Sequence, residues 1–61
     1  MSVYNSYYDD RTRTTISQAI DEDGQYCVLF QRGVRTETTV CKGPDHQYEV
    51  FMRNVRWYRG Y

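Results

Sequence analysis

Alanine and leucine are almost missing from this chain, with one of each in 61 residues. A helical bundle draws on both, so their scarcity argues against an all-helical fold. Lysine also occurs once, and eight Lys and Arg balance eight Asp and Glu, for a formal net charge of zero. That excludes a polybasic tail and the basic excess usual in nucleic-acid-binding domains. No apolar run is longer than Tyr26-Cys27-Val28-Leu29-Phe30, far short of a membrane span. The first twenty residues hold Tyr, Asp, Arg and Thr where a signal peptide would hold its apolar stretch, so the expected location is the cytoplasm, with reduced thiols.

Chemistry-bearing constellations are equally scarce. There is one histidine, His46, and the two cysteines, Cys27 and Cys41, form no closely spaced ligand pair. Cys27, Cys41, His46 and Asp45 make a zinc set by residue type alone, whereas both cysteines read as mid-strand residues, so no metal and no cofactor is expected. Nothing around either cysteine suggests a cleft that would activate a thiol. The four glycines are scattered as turn residues and form no phosphate loop. The expectation is a protein without catalytic residues.

What the chain does have is β-forming side chains. Val, Ile, Thr, Tyr, Phe and Trp supply 24 of the 61 residues. Leu, Ile, Val and Phe total only 11, so seven Tyr and one Trp must contribute much of the buried area, each with a polar group to satisfy. Ordering this many residues against so thin a core leaves a narrow margin, which fits a domain completed by a partner or by a second copy.

Turn signals divide the chain. Asp23-Gly24 lies between Thr14–Ile20 and Gln25–Phe30, and reads as a type I′ hairpin. A helix over 12–22 would set Arg11 and Arg13 at its N-terminus and Asp21, Glu22 and Asp23 at its C-terminus, against the dipole at both ends, so the strand is favoured. Gly33-Val34 reads as a type II′ turn. A two-residue loop there pairs Cys27 with Val40 and Cys41 with Tyr26, which sets the thiols on opposite faces of the sheet. The strand Tyr26–Phe30 is apolar on both faces and needs cover, for which the segment after Gly43-Pro44-Asp45 is available.

That segment is ambiguous. As a helix, residues 45–58 align Tyr48, Phe51, Met52, Val55 and Tyr58, with Pro44 near the start and Gly60 past the end, but leave Val50 and Trp57 off the stripe. As a strand bulged near Arg53-Asn54, Tyr48, Val50, Met52, Val55 and Trp57 share a face, and the residue types favour this second reading. The expected fold is therefore mainly β, a small antiparallel meander of three to five strands, with a helix on the sheet over 45–58 as the α+β alternative. Residues 1–10 read as a polar, aromatic arm or an edge strand, and 11–61 as one small domain.

Two features suggest a function. Residues 1–30 carry five acids, Asp9, Asp10, Asp21, Glu22 and Asp23, against two bases, while residues 31–61 carry six bases against three acids. A strand over 11–20 would set the two acidic groups roughly 30 Å apart, at ~3.3 Å per residue, as separate contact points able to stand in for phosphates. The other feature is the tail, where Arg53, Arg56, Trp57, Arg59 and Tyr61 concentrate side-chain types typical of binding hot spots. These ten residues are the candidate contacts for a larger host protein or complex, to which this chain binds as an inhibitor, whether as a monomer or a homodimer. Stand-alone domains of this size are common among phage and mobile-element accessory proteins, including antagonists of host defence. The competing expectation is a β-sheet binder of RNA or single-stranded DNA that uses an Arg/aromatic surface. No membrane partner is expected.

Overall fold

A computed structural model describes the backbone of residues 1–58 and the side chains of residues 1–55. Four antiparallel strands lie in chain order, β1 (Ser2–Asp9), β2 (Thr14–Ile20), β3 (Tyr26–Arg32) and β4 (Arg35–Val40), followed by one helix, α1 (Pro44–Tyr58). The helix packs on β2 and β3. The meander is thus the expected one, and residues 1–10 supply its edge strand. Segment 45–58 is the helix, which corrects the preference for a strand there.

Local chemistry explains why the helix wins. Gly43 ends the loop, Pro44 takes the first helical position where its missing N–H costs nothing, and Gln47 N donates to Gly43 O. His46 Nδ1 accepts from Lys42 N at 3.0 Å, a side chain reaching back over the helix start much as in a capping box. Asp45 in the first turn complements the dipole. Among the described side chains of α1, Gln47, Phe51 and Val55 are buried, flanked by partly buried Val50 and Met52. The inward stripe is therefore rotated from the expected one. Tyr48 is exposed, and Val50 rests on the core.

The β2–β3 hairpin sits where expected but uses another turn. Gly24 N donates to Asp21 O, and Asp21 N to Gln25 O. Only Gly24 takes a positive φ, +79°, where a type I′ turn would need two such residues. This is a type I turn closed by a left-handed glycine, the three-residue hairpin loop. Asp21 Oδ1 selects it by accepting from both Asp23 N and Gln25 N. At the β3–β4 turn Arg32 pairs with Arg35 and Gly33 has φ +61°, with Val34 on the negative side, as a type II′ turn requires. The register follows as expected, with Cys27 opposite Val40 and Cys41 N bonded to Tyr26 O.

Ile16 and Val28, on the helix side of the sheet, form the core with Cys41, Phe51 and Val55, and Tyr7, Tyr26 and Phe30 lean against it. Beside it lies a polar network. Gln47, 1% exposed, donates from Nε2 to the carbonyls of Ala19 and Cys27 at 3.0 and 2.8 Å, tying the helix to both central strands. Its Oε1 accepts from Tyr4 Oη and, at 3.4 Å, from Gln18 Nε2, while Gln18 Oε1 accepts from Asn5 Nδ2. Tyr4 reaches Gln47 because β1 bulges between Val3 and Asn5, so that Tyr4 and Asn5 together oppose Gln18.

Candidate protein-interaction surface

The period of two along each strand sorts charge completely between the two faces of the sheet. All four charged strand residues, Asp9, Arg32, Arg35 and Glu37, share the helix-side register. The other face pairs Ser17 with Leu29 and Ala19 with Cys27, and continues to Val3, Ser6 and Tyr8 on β1 and to Thr36, Thr38 and Val40 on β4. Thr15 and Gln31 complete it, and none of these twelve residues is charged. No described element covers this face.

The face is recessed along its centre. Ser17, Ala19, Cys27 and Leu29 are buried, while Val3, Tyr8 and Val40 on the flanking strands are each more than half exposed. The buried centre, small at Ser17, Ala19 and Cys27, thus forms a shallow trough between uncharged banks that mix apolar side chains with the hydroxyls of Ser6, Thr36 and Thr38. Tyr8 is its one aromatic side chain, and Ser6 and Ser17 join hydroxyls across its β1 side at 3.0 Å. The β4 bank is also a free edge, with all six of its residues exposed. Because Cys41 N points to β3, the alternation of an antiparallel ladder turns the amides of Thr36, Thr38 and Val40 outward.

Charge collects at the two ends of the sheet. In a meander the first and third turns share one end, which brings Arg11 and Arg13 to the same end as Arg32 and Arg35. Asp9 and Asp10 are there too. Asp10 is exposed, but Asp9 is 4% exposed, with Oδ1 accepting from Arg11 N. It is a turn-forming residue, and burial removes it from the expected contacts. The opposite end holds Asp21, Glu22 and Asp23, with the latter two exposed. The two acidic groups are thus separated by the length of β2, a shorter strand than the expected 11–20.

Of the tail candidates, Arg53 is exposed and ion-paired with Glu49 at 2.8 Å. Arg56 and Trp57 are described only as helical backbone, and Arg59 and Tyr61 lie outside the described residues. The expected contact set is therefore not one patch among the described residues. The open face escaped the sequence reading because serine, threonine and alanine carry no binding signal of their own. The alternation across Thr15-Ile16-Ser17-Gln18-Ala19 and Thr36-Glu37-Thr38 was the available clue.

Both thiols are held in the protonated form. Burial raises the Cys27 thiol, with the Asp21 carboxylate adding to it, and burial likewise raises Cys41, with Cys27 nearby. Among the described residues, no group of three or more His, Cys, Asp or Glu is placed to hold a metal ion, and no helix is long and apolar enough to cross a membrane. Comparisons with known protein families, curated proteins and solved structures found no match to this chain.

Proposed function

We propose that this chain is a non-enzymatic interaction protein that binds a larger protein through its open sheet face and the adjoining β4 edge, and so blocks it. The observation that carries this reading is the uncharged, uncovered trough, with Val3, Tyr8 and Val40 more than half exposed along its banks. A protein ridge can fill such a trough without leaving a charge desolvated. The free amides of β4 add the means to pair with a partner strand. The acidic turn at Asp21–Asp23 then acts as a second contact at one end of the sheet, where it steers a basic partner. The same face argues against the RNA or single-stranded DNA reading, since stacking bases on a sheet calls for several aromatics with cations among them, and here Tyr8 stands alone.

The test is affinity capture from host lysate, with and without nuclease, using the wild-type chain beside Thr38→Lys. Thr38 is exposed, so the substitution leaves the core untouched. A stoichiometric protein that survives nuclease and is lost with Thr38→Lys is the expected result. Capture of nucleic acid, or of a protein indifferent to the substitution, would refute the assignment.

A further inference from the structure

The two-residue turn Gly33-Val34 fixes Arg32 and Arg35 as direct cross-strand partners on the helix side of the sheet. Like charges facing each other across a ladder destabilise it, and neutral residues would avoid that cost. Glu37, two residues from Arg35 on the same face, opposes Phe30 instead. Among the described residues neither arginine comes within 4.0 Å of a carboxylate. Yet both arginines line one open hollow of about 200 Å³, together with Thr14, Phe30 and Glu37.

We propose that this hollow is a binding site for an oxyanion, a phosphate or a carboxylate, clamped by the two guanidinium groups. Opposed residues of an antiparallel pair have their Cα atoms about 5 Å apart, so two long side chains rooted there can converge on a single group. Each guanidinium offers a planar fork of N–H donors that matches two oxygens of such an anion. Half-buried Phe30 supplies an apolar wall for the body that carries the anion, and Glu37 excludes a second negative charge beside it. With two guanidinium groups and the single carboxylate of Glu37 in its lining, the hollow carries one unbalanced positive charge, which the anion offsets. This site lies on the covered side of the sheet, away from the open face, and does not depend on the interaction reading above.

The experiment uses the whole chain. Sodium phosphate and sodium acetate are titrated against sodium chloride at matched ionic strength, following the arginine Nε–H resonances by NMR and the thermal midpoint. Saturable shifts at Arg32 and Arg35 and a raised midpoint, in phosphate or acetate but not in chloride, are expected, and the stronger of the two anions identifies the source. Arg32→Gln and Arg35→Gln should each weaken that response at least tenfold. Both should also melt no lower than the wild-type chain in low salt without added oxyanion, because the opposed charges are gone, which shows that the variants fold. Equal effects of all three salts on the wild-type chain, or an undiminished response in the variants, would overturn the proposal.

Discussion

Gln47 shows how much one polar side chain determines here. Its amide group joins the helix to two strand carbonyls and accepts a hydrogen bond from the Tyr4 hydroxyl, so every partner is lost together when it changes. Gln47→Leu keeps the volume but strands the buried Gln18 amide, and should cost about 1–3 kcal/mol in urea unfolding. Gln47→Glu should cost more at pH 7, since a carboxylate oxygen would face the carbonyls of Ala19 and Cys27. Burial raises the pKa of such a glutamate above its unfolded value of about 4.3, so the added penalty should fade as the pH drops through the raised value. A Glu variant as stable as the Leu variant at pH 7 would contradict this geometry. The thiols give a second pH effect, in the alkaline range. Both are raised above the ordinary 9.0, so the native state holds its thiol protons after the unfolded chain has released them. The thiol contribution to stability should be constant below about pH 9 and be lost as the pH climbs from there toward the folded values, and replacing both cysteines with serine should remove that loss.

At the scale of the element, β2, β3 and β4 were legible, β1 read equally well as an arm, and the helix was the less favoured of two readings. Glycine at 24 and 33 marked both tight hairpins, and loop length alone put Cys27 and Cys41 on opposite faces. The helix was hidden by its own inward residues. The helical reading is disfavoured because Val50 and Trp57 fall off its stripe, whereas the true stripe is rotated onto Gln47, which bonds the sheet and lets Val50 rest on the core, while Asn54 Nδ2 bonds Val50 O at 2.8 Å. Polar residues that find buried partners leave no trace in a hydropathy pattern. The interaction surface was even less legible, because it consists of the residues that strand alternation leaves on the uncovered side. Phe51 is the apolar anchor of the helix, 5% exposed against Ile16 and Val28. Phe51→Ala should remove about 3–5 kcal/mol, which is most of what so small a domain possesses. Far-UV circular dichroism at 25 °C should then show a largely unfolded chain, and a folded variant would mean that α1 is not needed to hold the sheet.

For the whole molecule, the order of strands in space equals their order in sequence. Neighbouring strands are joined by short turns, so the sheet can form by successive hairpins, while the return of the helix to β2 and β3 brings together residues far apart in sequence. The sheet nevertheless has two edges, and they differ. β4 is regular and fully exposed, whereas β1 is interrupted where Tyr4 is inserted and turned toward Gln47. A molecule with two compatible edges could add copies head to tail without limit and grow into a fibre. The extra residue at Tyr4 shortens the regular part of the β1 edge to residues 5–9, so an incoming β4, six residues long, meets a ladder that breaks before its end, which opposes growth from one edge onto the other. Deleting Tyr4 should regularise β1 and make the chain scatter light and bind amyloid dyes at concentrations where Tyr4→Phe, which loses the same hydrogen bond to Gln47 but keeps the bulge, does not.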